Sequence, residues 1–211
     1  MSHRPWCRPC RRHAPLYIFV GALVLTGAGF GFFLVDALSL EQRLELAARL
    51  EAYRLDLIRP GGADAAEAFR DSFLFYARWL GLIWLLGLSV IGVPGVLALD
   101  FMKGVLMGFT AGLLVKEMDG EGMLCALAAL VPHNALAVPA LMVASVSALR
   151  FAGWVAGERL LRRRGRLLPP LRSHGIASLA MLLPLCGAAL TEAYLTPRLL
   201  GRLLAWLAQF A

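Results

Sequence analysis

His133 and Asn134 stand beside Pro132 inside an apolar block that runs over 122–151. A proline there removes a backbone donor and frees a carbonyl, which a polar side chain or water can satisfy. One reading of the trio is an intramembrane polar site for an ion, a proton or a lipid headgroup. The plainer reading is a structural cap at a helix break. We favour the cap, because no carboxylate lies near His133 in the sequence. Glu192, at the end of a later apolar block, reads as an interfacial residue rather than a catalytic one. Gly104, Gly108 and Gly112 recur every four residues, so they line one helix face and let another backbone approach closely. Cys7 and Cys10, with His3 and His13, supply four candidate zinc ligands. Their segment is too short to build a core around a metal, and a basic tail with reduced thiols is the better reading. Cys125 and Cys186 sit in apolar blocks as small packing residues.

Motifs that perform chemistry elsewhere do not occur here. The chain has no H-E-x-x-H, no phosphate-binding P-loop and no G-x-S-x-G. No cofactor, metal or small-molecule substrate is expected, and the sequence does not read as an enzyme.

The elements that must position these residues follow from hydropathy. Hydrophobic residues make up 59% of the 211 and charged residues 17%, below the roughly 25% of an average soluble domain. Uncharged runs cover 16–35, 79–99 and 174–191. About 20 apolar residues in a helix cross a hydrocarbon core of about 30 Å, and in lipid every backbone group must bond internally. An all-α, polytopic membrane protein follows, a single membrane domain over 1–211. Five transmembrane helices are expected. The first covers 16–35, is too long for a signal h-region and is read as retained. The second starts within 73–79 and the third ends near Val115, with their turn inside 92–100. The fourth, 122–151, is expected to be broken or kinked at Pro132, and the fifth covers 174–194. The tail from Pro197 is short, apolar and read as interfacial.

Charge fixes the expected orientation. The net charge is +7, but the arginines cluster beside apolar spans with no interleaved aromatics, so nucleic acid is not the expected partner. The tail 1–15 has four arginines and no acid, and 150–173 has seven arginines and Glu158. Both are expected in the cytoplasm by the positive-inside rule. Segment 36–78 has six arginines and eight acids, and 116–121 has one lysine and three acids; both are expected outside. With five spans the N-terminus is cytoplasmic and the C-terminus extracytoplasmic.

The outer segment has a local code of its own. Ser39 and Gln42 have capping-box spacing. Leu46, Leu50, Tyr53 and Leu57 then follow at helical spacing as one apolar stripe, and Arg59-Pro60-Gly61-Gly62 ends that helix. A second helix is expected from Ala63 into the second span. The stripe faces the membrane, the second helix or a protein partner, and we take Leu46, Leu50, Tyr53 and Leu57 as the candidate docking residues.

The order of several segments resembles the stage II sporulation protein M family. These are Leu80-Gly-Leu-Ile-Trp-Leu-Leu-Gly-Leu-Ser-Val-Ile-Gly-Val-Pro94, Lys103-Gly-Val-Leu-Met-Gly-Phe-Thr-Ala-Gly-Leu-Leu-Val115, Val131-Pro-His-Asn134 with Pro139, and Glu192-Ala-Tyr-Leu-Thr-Pro197. The chain departs from the family in lacking an asparagine near the start of the second span, over 73–78. The resemblance implies a membrane anchor for endospore formation. It would sit in the mother-cell membrane at the septum during engulfment and hold stage II sporulation proteins D and P, which cut peptidoglycan. Membrane lipids are the other expected partner. The alternative is a small transporter or lipid-handling protein that uses the fourth span as its site.

Overall fold

The computed structural model describes residues 9–58, 64–89, 92–117, 122–157 and 168–207, with side chains for all of these except 9–13, 53–58 and 207. Among them there is no strand. Seven α-helices follow in order: α1 (Pro9–Leu34), α2 (Leu40–Ile58), α3 (Ala65–Gly87), α4 (Gly92–Glu117), α5 (Gly122–Trp154), α6 (Leu168–Leu190) and α7 (Thr196–Leu207). A π-helical turn, Thr191–Leu195, joins α6 to α7.

Four helical runs are long and apolar enough to cross a membrane: Ala14–Ala37, Gly92–Glu117, Gly122–Gly157 and Leu168–Trp206. The expected count was five. The helix that falls short is α3, because Arg70, Asp71 and Arg78 interrupt its apolar surface. It nevertheless packs in the bundle, with Tyr76, Leu80, Ile83 and Gly87 buried against α5 and α6.

The fourth expected span is not interrupted. α5 is one continuous helix of 33 residues through both Pro132 and Pro139. Each proline removes one donor, and the surrounding helices leave the backbone no better alternative than to continue. Asn134 Nδ2 donates to Leu130 O at 3.0 Å, adding a local polar bond across the proline. The break after α3 also falls earlier than expected, with α3 ending at Gly87 and α4 already under way from Gly92. Ser89 Oγ accepts from Gly92 N at 2.9 Å and caps α4, while Pro94 occupies the first turn, where a missing N–H costs nothing. Asp100 and Lys103, which suggested a turn, lie inside α4 and are buried.

The helices run between two ends. At the first, Leu16 and Phe19 of α1 share a groove with Val93 and Leu97 of α4 and with Leu149, Ala152, Gly153 and Ala156 at the close of α5. Gly87 at the end of α3 lies against Ala148 and His174 there. At the second end, Lys116 pairs with Asp36, and Arg43 Nη2 donates to the carbonyls of Val35 and Asp36 at 3.1 Å. These contacts fix α2 to the ends of α1 and α4. Ser39 and Gln42 form the reciprocal capping bonds, 3.0 and 3.3 Å, that start α2, and Asp64 Oδ1 accepts from Ala66 N at 3.0 Å to start α3.

α1 and α4 are parallel and interlocked by glycines. A Cβ on Gly104, Gly108 or Gly112 would collide with the backbone of Val24, Ala28 or Phe32, a constant offset along the two helices. Gly27 and Gly31 do the same from α1, against Phe101 and Val105. α5 is the central helix and touches α1, α3, α4, α6 and α7. Its small residues, Ala137, Ala140, Ala144 and Ala148, build the core with Leu80, Ile83, Val96 and Leu185. The outer surface carries exposed Ile18, Leu25, Phe33, Leu179 and Leu183, an apolar display suited to hydrocarbon rather than water.

Candidate functional site, a polar cavity in the helix bundle

Between α4, α5, the π turn and α7 lies a cavity of about 370 Å³. Its walls are apolar and include Phe75, Leu106, Met107, Leu113, Leu114, Leu200 and Leu204. Its polar lining is Lys103, Thr110, His133, Asn134, Glu192 and Thr196. Lys103 lies 11 residues into α4, about 17 Å from its start at 1.5 Å per residue. That depth is near the middle of the bundle.

Each polar group arrives there for a local reason. His133 and Asn134 sit just after Pro132 on a buried face of α5. Asn134 Nδ2 bonds both Leu130 O and His133 Nε2, the latter at 2.9 Å. An amide nitrogen can only donate, so His133 Nε2 accepts and the ring proton resides on Nδ1. Asn134 Oδ1 remains without a partner among the described residues. Glu192 belongs to the π turn, a form often found at functional sites, and Thr196 Oγ1 donates back to Thr191 O at 3.2 Å to satisfy it. Tyr76 of α3 donates to Glu192 Oε2 at 2.8 Å.

Lys103 is only 8% exposed. No ion pair joins it to a carboxylate among the described residues; its ammonium lies 5.4 Å from the Tyr76 ring centroid and 6.0 Å from that of Phe75. A charge at mid-membrane depth costs about 2.5–3.5 kcal/mol on insertion scales, and such residues mark functional pathways more often than structural ones. The cavity thus gathers a lysine, a carboxyl side chain and an imidazole among apolar walls.

Two smaller polar contacts lie closer to the first end. Ser145 Oγ donates to Asp100 Oδ1 at 2.7 Å, both buried. His174 Nδ1 lies 3.0 Å from Ser147 Oγ, and its ring stacks on Phe151 and Trp84. These contacts tie α4 and α6 to α5.

The expected site residues are thus divided among three places. His133 and Asn134 meet in the cavity beside Pro132. Gly104, Gly108 and Gly112 form the α1–α4 seam. Leu50 lines the cavity and Leu46 is half-buried, so this part of the stripe turns toward the bundle. The side chains of Tyr53 and Leu57 lie outside the described residues, as do Cys7 and His3 altogether and the side chains of Cys10 and His13. Among the described residues no three metal-ligating side chains cluster.

Lys103, Tyr76 and Glu192 were not singled out as partners by sequence. A lysine in the middle of an otherwise apolar block was the available signal for the first. Tyr76 and Glu192 are 116 residues apart, and nothing local links them.

An all-helical membrane protein with a polar cavity at mid-depth is the class this geometry defines. The family model for stage II sporulation protein M matches residues 20–197, most of the chain, and the chain belongs to that family. No curated protein matches it. No solved structure matches it.

Proposed function

We propose that this protein is a membrane anchor in endospore formation that holds peptidoglycan hydrolases at the septal and engulfing membrane. The partners we assign are stage II sporulation proteins D and P, and the protein itself is read as non-enzymatic. In this reading α3 is a fifth crossing, since it lies alongside α5 and α6 and ends beside Ala148 and His174. The first end faces the mother-cell cytoplasm. The helices that the arginine-rich segments 4–12 and 158–172 adjoin, α1, α5 and α6, begin or end there, which supports that orientation under the positive-inside rule.

The observation that carries the anchor reading is α2. This helix is not a candidate span, sits at the second end and offers Leu40 and Leu44 to the outside at 75% and 62% exposure. Exposed leucines one turn apart on a charge-rich helix suit helix-in-groove recognition. With Leu50 turned toward the cavity, Leu40 and Leu44 are the docking residues we favour. Fluorescently tagged stage II sporulation protein D or P, imaged in sporulating cells with and without this protein, tests the reading. Both hydrolase components should concentrate at the septum only when the anchor is present. Unchanged septal localisation in its absence would refute the proposal.

A further inference from the structure

The anchor reading leaves the cavity without a task. Lys103 is more than nine-tenths buried, faces the cavity and has no carboxylate in ion-pairing distance among the described residues. Asn134 Oδ1 is a second unpartnered group, an acceptor. Glu192 has one carboxylate oxygen taken by Tyr76 and the other not so engaged.

A partner for this set must therefore bring both signs of charge. Its anionic part would meet Lys103. Its cationic part would meet Glu192 and Asn134 Oδ1. The remaining lining, from Leu106 and Met107 to Leu200 and Leu204, is apolar and suits a hydrocarbon chain.

We propose that the cavity binds an amphiphile with a zwitterionic headgroup, a phospholipid carrying a primary amine beside its phosphate. Charge complementarity decides the headgroup: a purely anionic lipid would set its charge against Glu192 with nothing to offer that carboxylate. A neutral lipid would leave Lys103 unpaired, and unsatisfied buried polar groups are what a polar site rejects most strongly. Burying an unpaired lysine also costs stability, so the residue is explained better by binding than by folding.

The purified full-length protein in detergent provides the test, with dihexanoyl phosphatidylethanolamine as the probe. Three comparison ligands remove parts of it: dihexanoyl phosphatidic acid lacks the amine, dihexanoylglycerol lacks both charges, and phosphorylethanolamine lacks the chains. Native mass spectrometry reads the adduct and thermal unfolding reads stabilisation. The amine lipid should give a saturable one-to-one adduct and raise Tm, and the three comparison ligands should bind at least about tenfold more weakly, the factor that one lost charge-assisted contact supplies. Lys103→Gln and Glu192→Gln should each weaken the amine lipid by a similar factor. The unliganded Lys103→Gln protein should unfold at or above the wild-type temperature, which separates lost binding from lost folding. Phosphatidic acid binding as tightly as the amine lipid would overturn the zwitterion assignment. Phosphorylethanolamine binding as tightly would overturn the amphiphile, and equal binding by Lys103→Gln would overturn the site.

Discussion

The Tyr76 hydroxyl donates to Glu192 Oε2 at 2.8 Å and so joins α3 to the π turn, two elements that meet only in the folded bundle. Removing the hydroxyl leaves a carboxylate oxygen unpartnered beside the cavity. Tyr76→Phe should therefore destabilise the protein by about 1–3 kcal/mol. With Glu192→Gln as the second change, a double-mutant cycle on thermal unfolding in detergent should give a coupling of at least about 0.5 kcal/mol. Strict additivity would show that the bond carries no energy.

Packing along the α1–α4 seam gives a second expectation. Gly108→Leu drives a branched side chain into the Ala28 backbone, whereas a Cβ on Gly29 meets nothing within 4 Å. Overpacking of this kind costs about 1–3 kcal/mol or more. Accumulation in the membrane and Tm should fall for Gly108→Leu and stay near wild type for Gly29→Leu, as read by immunoblot and thermal scan. Equal behaviour of the two variants would place the seam elsewhere.

The Ser145–Asp100 contact should matter for folding. Asp100 Oδ2 is already without a partner, so Ser145→Ala leaves both carboxylate oxygens bare in a buried site. A loss of about 1–3 kcal/mol is expected, measured by thermal unfolding.

Orientation can be read in intact cells. In a background lacking native cysteines, Ser173→Cys and Glu41→Cys both lie on exposed positions. An impermeant thiol reagent should label position 41 and spare position 173. Labelling only at 173 would invert the proposed topology.

Several of these features were legible in the sequence, and the reasons are local. Apolar run length located α1, α5 and α6, and the Ser39–Gln42 spacing marked the start of α2. Glycine spacing on α4 signalled a close contact, though not that Gly27 and Gly31 of α1 answer it from the opposite backbone. Errors arose where a local rule met a tertiary fact. Asp100 and Lys103 looked like the edge of a span because charges normally avoid hydrocarbon, but both are buried in the bundle interior. Pro132 looked like a break, yet only one donor is lost and the packed helix continues. Leu50 belongs to an apolar stripe whose direction no periodicity can give, and the structure turns it toward the cavity. The cavity itself was invisible, since its charged members come from positions 103 and 192 on helices brought together only by folding.

The most direct test of the anchor role is affinity purification of the tagged chain from sporulating cells. The wild type and a Leu40→Glu/Leu44→Glu variant would be compared at equal membrane levels. Stage II sporulation protein D or P should co-purify with the wild type and be lost, by about tenfold or more, from the variant, as expected when apolar anchors at an interface become charged. Absence of both hydrolase components from the wild-type sample, or equal recovery with the variant, would contradict the anchor role assigned to α2.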